Sequence, residues 1–448
     1  MVTGTTRAAA NPNGEPTTMH PRQHTARLVL GLGILCGATC AASGAEWSRF
    51  RGPNGTGIAT GQNLPVEWKA DAVLWKTAIP GRGHSSPVIW GDNVFLQSSS
   101  KDGTERWLFC LSATTGKVVW KETTQRSKAA THPLSSYASG TPAVDGERVY
   151  TTYWDGKNLS LSAYNMKGEP QWRRDLGEFK SQHGAGHSPV VYDGKVFLTD
   201  DQDDSAKLFA FDAKTGETVW KVARTAYRAC YSTPFMLDNT NDPPQLIVTS
   251  TGGVTGYNPA DGKEIWNYTW SFTKMPLRTV ASSIVADGCL IASSGDGSLE
   301  RNQMAIRLGG KGDVSKTHLA WETRVSEQSP YVPCLLASGP YLFSMNDFGV
   351  AACHVAKTGE KVWSHAFIAR RPGDRKAWVS ASPVLIDGNI YAIDLDGTVY
   401  VFEAGPKFKL LATNSVGESV TATPAVSDGR LFIRGDEHLF CIGKPRTK

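Results

Sequence analysis

The chain has little of what would settle its class at a glance. No part of its 448 residues carries a helical hydrophobic period of useful length, which argues against helix bundles and doubly wound α/β sheets. C-x-x-C and C-x-x-C-H are both absent. This removes a thioredoxin-type redox pair and covalently attached c-type haem. There is no basic block with interleaved aromatics, and 47 Lys and Arg stand against 42 Asp and Glu, too even a balance for a nucleic-acid partner. No apolar run is long enough to read as a membrane span.

The one marked apolar run belongs to an export pattern. Arg22, His24 and Arg27 precede apolar residues 28–36, and small residues lead on to Ser43-Gly44-Ala45, a small-x-small cleavage site. Residues 1–45 are expected to be a signal peptide, with Met19 as an alternative start, and the mature chain to be periplasmic or secreted. Neither Cys36 nor Cys40 meets the lipoprotein pattern. Six cysteines follow: Cys110, Cys230, Cys289, Cys334, Cys353 and Cys441. Export permits disulfides, yet most of these lie in apolar strand-like runs and read as small buried hydrophobes.

Glycine (45) and tryptophan (14) are plentiful, which favours many short strands and tight turns. A small-residue stretch with Pro recurs. It reads Ser85-Ser86-Pro87-Val88, Gly140-Thr141-Pro142-Ala143, His187-Ser188-Pro189-Val190 and Ser232-Thr233-Pro234-Phe235. It continues as Ser282-Ser283-Ile284-Val285, Val332-Pro333-Cys334-Leu335, Ala381-Ser382-Pro383-Val384 and Ala422-Thr423-Pro424-Ala425. The spacing is 41–55 residues. Each start opens a strand, a turn such as Asp145-Gly146, Asp193-Gly194, Asp387-Gly388 or Asp428-Gly429, two further strands, and a fourth ending in Trp. Those tryptophans are Trp120, Trp172, Trp220, Trp266, Trp321 and Trp363. Four antiparallel strands repeated eight times describe an all-β, eight-bladed β-propeller. Small residues suit the crowded axis, and each Trp supplies an apolar plate against the next blade.

The eighth repeat, residues 420–442, lacks its fourth strand. Ala72-Val73-Leu74-Trp75-Lys76 matches it and is expected to close the ring, removing exposed edges. The expected organisation is therefore an N-terminal segment over 46–71 and the propeller over 72–448. Blade 7 carries Leu410-Leu411 where Trp is expected. Blade 5 has Ile284 for Pro and a long turn over 309–316.

Ala210-x-Asp212-x-x-Thr215-Gly216-x-x-x-Trp220 resembles the tryptophan-docking repeat of pyrroloquinoline quinone (PQQ) propellers. Weaker copies end at Trp120, Trp266 and Trp363. Trp47-x-x-Phe50-Arg51-Gly52-Pro53-Asn54-Gly55 resembles the opening of secreted bacterial members. The resemblance implies two classes: quinoprotein alcohol and sugar dehydrogenases, which use PQQ with calcium, and non-catalytic scaffolds such as the propeller lipoprotein of the outer-membrane assembly machinery. Many dehydrogenases of this kind carry a vicinal Cys–Cys ring, absent here, and no family calcium motif can be placed. No catalytic residue and no metal ligand is assigned.

Loops leading from each outer strand to the next inner strand should lie near the axis. Counting five or six residues back from each inner-strand Pro gives Arg82, Tyr137, His183, Arg228, Arg278, Gln328, Trp378 and Glu418, with His84 and His187 closer to their strands. Such a ring would be cationic around blades 1 and 3–5, with Glu327 and Glu418 on the acidic side, and would attract an anion. The alternative is that these loop residues only bond to neighbouring carbonyls. Asp200, Asp201, Asp203 and Asp204 read as a solvated hairpin, since the alternating pattern of a calcium loop is absent. His183-x-x-x-His187 has zincin spacing, but Gly184 and Gly186 argue against the helix it needs.

The leading expectation is a monomeric, non-catalytic propeller that binds an envelope protein or a small anionic ligand through its funnel. The alternatives are a PQQ-dependent dehydrogenase and a carbohydrate-binding envelope module.

Overall fold

The computed structural model describes Met1 and residues 46–444, apart from 129–130, 133–134, 204, 239–241, 273–274, 297–299, 325–327 and 370–377. The expected signal peptide, Asp204 and Glu327 lie outside the described residues.

Eight sheets of four antiparallel strands build the expected propeller. Blade 1 runs outward from the axis as Val88–Trp90, Asn93–Ser99, Glu105–Ser112 and Val118–Gln125. Blades 2 to 7 repeat this order over 143–178, 190–223, 235–269, 284–323, 336–366 and 384–415. Positive φ at Asp193, Asp287, Asp387 and Asp428, each followed by a positive-φ glycine, gives the type I′ geometry that matches strand twist. Asp145 differs. Its carboxylate accepts the Glu147 and Arg148 N–H groups and holds the turn from the side.

Blade 8 is composite. Val73–Ala78 pairs antiparallel with His438–Gly443, with Trp75 opposite Cys441, outside Arg430–Arg434 and Ala425–Ser427. The hydrophobic core lies in the seams between blades. Val88, Phe95 and Leu108 of blade 1 pack with Val144 and Val149 of blade 2, and Val190 and Phe197 of blade 3 with Leu246 and Val248 of blade 4.

Six of the eight seams are fixed from the outer strand. The Trp120 indole N–H donates to the Met166 carbonyl of blade 2 (3.0 Å), Trp172 to Ala213 of blade 3 (3.1 Å) and Trp220 to Pro259 of blade 4 (3.1 Å). Trp321, Trp363 and Trp75 make the same bond to Ala356, Gly405 and Ala113. The ring lies so close to the turn that Gly216 admits no side chain: its φ is 70°, and a Cβ would sit 2.4 Å from the Trp172 ring.

Two seams depart from this pattern. Trp266 bonds Gln245 of its own blade (2.8 Å). The long turn of blade 5 instead sends Gly312–Asp313 back as a parallel strand on the outer edge of blade 4. In blade 7 the pairing puts Ala412, not Leu410 or Leu411, at the tryptophan position, because Ala412 faces Val401 as Trp220 faces Ala210. Trp68 of the N-terminal segment stacks on Tyr391 (6.5 Å, 11° between planes), as Trp220 packs on Phe197 (5.7 Å). Bonds from the Trp68 main-chain N–H to the Asn414 side-chain oxygen and from the Tyr391 hydroxyl to the Pro65 carbonyl hold it there.

The N-terminal segment is built into the propeller rather than lying beside it. Trp47 bridges Ile89 of blade 1, and the Ser48 carbonyl accepts the Val144 N–H of blade 2. Asn54 bonds both main-chain groups of Met236 in blade 4, and Arg51 donates to Leu335 O of blade 6 (2.6 Å). Ile58–Ala59 pairs in parallel with the inner strand of blade 7, and Gln62 accepts the Gly429 N–H of blade 8. The tight path needs Gly52 (φ 67°), whose Cβ would meet the Trp47 ring at 2.4 Å.

Candidate functional site

An axial cavity of about 770 Å³ opens among the loops that feed the inner strands, and Phe50 of the N-terminal segment forms its floor. Its wall has two tiers. The lower tier is the residue two before each inner strand. Strand pairing identifies Ser282 in blade 5 and Cys334 in blade 6 as the equivalents of Ser86, since Ile284 and Leu336 take the place of Val88. Ser283 and Leu335 therefore stand where Pro was expected; Ile284 is the first strand residue, and Pro333 lies outside the repeat position.

These small residues do more than fit the taper. The Ser86 N–H donates to the Thr141 hydroxyl, Thr141 to Ser188, and Thr233 to Ser282. Ser282 donates to the Cys334 sulfur, Cys334 to the Ser382 hydroxyl and Ser382 to Thr423. A girdle of main-chain to side-chain bonds thus ties six of the eight neighbouring blade pairs together near the axis. Six of its members, Ser86, Thr141, Ser188, Thr233, Ser382 and Thr423, also line the cavity. Two residues further back lies the upper tier: His84 and Ser139, Gly186 and Tyr231, Val280 and Val332, Ser380 and Thr421.

The residues counted back from Pro do not form the expected ring. Arg82, His84 and His183 line the cavity. Tyr137 stacks on Trp154 and lies under the Arg106 guanidinium (4.3 Å). His187 is buried, edge-on to Phe179 (5.0 Å) and against the Tyr231 ring (5.8 Å), and it does not line the cavity as His183 does. Arg228 donates to Pro276 O, and buried Arg278 to Ala229 O, so the convergence of three arginines is not formed. Gln328 offers its carbonyl to Ser344, and Trp378 is held by main-chain bonds to Asp347 and Leu395. Glu418 accepts the Glu437 and His438 N–H groups and faces the His438 ring (2.8 Å) at the rim of blade 8.

The aspartate run is also not a solvated hairpin. Asp200 and Asp201 are buried on the second strand of blade 3, and Asp201 pairs with Arg224 at 2.8 Å, both side chains 2% exposed. The strand runs on past the expected turn because a buried cation at the end of the outer strand meets it. All six cysteines are buried and unpaired.

Counting back from Pro missed the wall's aromatics and its buried ion pair. Arg301 starts a third strand, donates to the Asp296 and Glu300 carbonyls, and lies 3.9 Å from Asp347. Asp347 accepts the Tyr331 and Val332 N–H groups; burial raises its pKa against the pull of Arg301. Burial lowers His84 to about 4, with Arg82 and Arg434 adding to it. His183 falls to about 4 through burial, Arg278, His132 and Arg228; its ring lies 4.3 Å from that of His132. Among the described residues the wall carboxylates are Asp347 and Asp436. The one Glu/His cluster among the described residues that could hold a metal, Glu418, Glu437 and His438, already uses Glu418 for main-chain N–H groups.

Eight four-stranded blades around a floored axial cavity define an eight-bladed β-propeller with a central funnel. A family model described as outer membrane protein assembly factor BamB matches residues 53–165 and 157–328, and the chain belongs to that family of PQQ-like β-propeller repeat proteins. It is 26% identical over 251 residues to the outer membrane protein assembly factor BamB of Shewanella oneidensis, covering 52% of this chain and 58% of that protein. Among solved structures, BamB from Moraxella catarrhalis superposes with a TM-score of 0.59 at 16% identity, over 84% of this chain and 98% of that one. A europium-containing methanol dehydrogenase reaches 0.67 at 10% identity, over 89% and 98%. The quinohemoprotein alcohol dehydrogenase of Comamonas testosteroni reaches 0.61 at 11%, over 90% and 82%. These structural likenesses establish the fold. No helix among the described residues is long and apolar enough to cross a membrane.

Proposed function

We propose that the chain is an exported, non-catalytic binding propeller of the cell envelope, and that its ligand or partner group enters the axial funnel. One observation carries this reading: the funnel is a floored cavity whose buried carboxylate, Asp347, is already engaged in structural bonds. Asp347 is held by two main-chain N–H groups and by Arg301, itself bound to two carbonyls. A calcium ion takes six to eight oxygens, several of them carboxylate. Among the described residues the wall offers Asp347 and Asp436, and Asp347 is committed, so this donor set suits the binding reading better than a quinone–calcium centre. The relatives named for an outer membrane assembly factor support an envelope location.

Two measurements test it. The protein incubated with PQQ and calcium is expected to reduce no dye with alcohol or sugar substrates; substrate-dependent reduction would sink the reading. Benzoylphenylalanine in place of Arg82 at the funnel mouth is expected to cross-link in envelope fractions under light. The same group in place of exposed Val119 on an outer strand should not. Equal cross-linking from both would remove the funnel as the site.

A further inference from the structure

The upper tier of the funnel wall points to a ligand class: we infer that the funnel takes an extended peptide segment that turns apolar and polar side chains to opposite sides. This deepens the reading of the funnel as the binding site and rests on it.

The tier is a complete ring. Each blade contributes one residue to it, and all eight positions are described. Each is half-buried, whereas the residue two further on is buried in every blade. The tier is therefore the part of the wall that an entering group meets. Its chemistry divides by arc. Blades 4, 5 and 6 supply Tyr231, Val280 and Val332. The Tyr231 hydroxyl donates to the Gly184 carbonyl (3.1 Å) and meets the Ser181 hydroxyl (2.5 Å), so the ring is what it offers a ligand. Blades 7, 8, 1 and 2 supply Ser380, Thr421, His84 and Ser139. The Ser380 and Thr421 hydroxyls bond no described residue. In a ring of eight, blade 4 lies across the axis from blade 8, blade 5 from blade 1 and blade 6 from blade 2. Tyr231 thus stands opposite Thr421, Val280 opposite His84 and Val332 opposite Ser139.

A ligand that is apolar all round would strip water from the hydroxyl arc and leave it without partners. One that is polar all round would forgo the gain from covering the valines and the tyrosine ring. A flat sugar ring carries C–H groups on both faces and hydroxyls at its edge, so it does not set the two kinds on opposite sides. An extended peptide does, because successive side chains point to opposite sides. Pockets for alternate side chains are a recurring way of reading such a segment. The volume, about 770 Å³, lies within the roughly 300–1,000 Å³ of small-ligand sites, which suits a few residues. With Phe50 at the floor, the segment enters from the loop side, as a chain end or the tip of a loop.

Two capped pentapeptides of one composition test this. Acetyl-Ser-Leu-Ser-Leu-Ser-amide alternates and acetyl-Ser-Ser-Leu-Leu-Ser-amide does not; neither is charged. In calorimetric titration of the whole protein, the alternating peptide is expected to bind at least about fivefold tighter than the other. Val332→Thr and Thr421→Val exchange a methyl for a hydroxyl and the reverse. Each should weaken the alternating peptide by about threefold or more, while Val119→Thr on an outer strand should leave it unchanged. Ser380→Ala is the second polar-arc variant should Thr421→Val fail to fold. Equal binding of the two peptides, indifference to the variants of both arcs, no binding of the alternating peptide, or tighter binding of cellotriose than of that peptide overturns the assignment. If the peptide fails while the cross-link from position 82 persists, the ligand class is wrong and the funnel stands; if both fail, the funnel reading falls with it.

Discussion

The seam between blades 3 and 4 and the seam between blades 7 and 8 meet one packing requirement with different parts of the chain. At the first, Trp220 comes from the outer strand, packs on Phe197 and bonds Pro259 of the next blade. At the second, the outer strand offers Ala412, and Trp68 arrives from the N-terminal segment to stack on Tyr391. What is required is an aromatic plate at a place in space, not a tryptophan at a place in the repeat. The same segment supplies the floor of the funnel, and the strand that directly follows it, Val73–Ala78, is the outer strand of blade 8. The irregular end of the chain therefore does more for closure and for the site than any regular blade.

The comparison can be broken in order of severity. A chain begun at Ile79 loses the outer strand of blade 8, Trp68 and the axial segment together. It is expected to show no cooperative thermal transition by circular dichroism; a melt within a few degrees of the full chain would refute the composite ring. Next, Trp220→Ala should cost about 3–5 kcal/mol in urea unfolding, and Trp68→Ala a similar amount if the seams are equivalent. Ala412→Trp alone should cost about 1–3 kcal/mol by overpacking, whereas the double variant Trp68→Ala with Ala412→Trp should recover stability relative to Trp68→Ala. Additive losses would mean that Trp68 does not occupy the Ala412 site.

Smaller effects follow at the axis. His84, His183, His187 and His354 are all held at about 4 in the folded chain, chiefly by burial, and protonate near 6.5 when unfolded. The unfolded chain then takes up more protons between those values. Their contribution to stability is complete above pH 6.5 and is lost as pH falls toward 4. Urea midpoints at pH 7.5, 6 and 5 should fall in that order; a flat profile contradicts it. The smallest expected effect separates two girdle positions. Ser188→Ala removes the acceptor of the Thr141 N–H and should cost about 1 kcal/mol. Ser86→Ala, whose hydroxyl accepts no main-chain N–H, should change the midpoint by less.

The fold was legible because a propeller writes one packing solution eight times. The composite blade was legible too, because Trp75 carries the outer-strand signature out of place. Trp68 was not, since it lies outside any repeat unit and its partner, Ala412, is defined only by strand pairing. The register slips arose from Pro: blade 5 has Ser283 at that position, and Pro333 imitates it in blade 6. The funnel wall had a signal, three residues before Pro in the regular blades, which picks out His84, Ser139, Gly186, Tyr231, Ser380 and Thr421. Stepping back five or six lands on side chains that turn into neighbouring carbonyls, as Arg228 and Arg278 do. Arg301 and Asp347 come from the far ends of strands, and nothing in the repeat spacing brings them to the axis.

Native-state hydrogen exchange, followed amide by amide over residues 47–68, tests most directly whether the N-terminal segment is an integral part of the ring. The amides of Trp47, Gly57, Gln62 and Trp68, each bonded within the segment or to a blade, are expected to exchange as slowly as those of Leu246 and Val248 in the core of blade 4. Exchange at loop rates, with the blade cores still protected, would show that the segment is an appendage and that neither the seam nor the funnel floor depends on it.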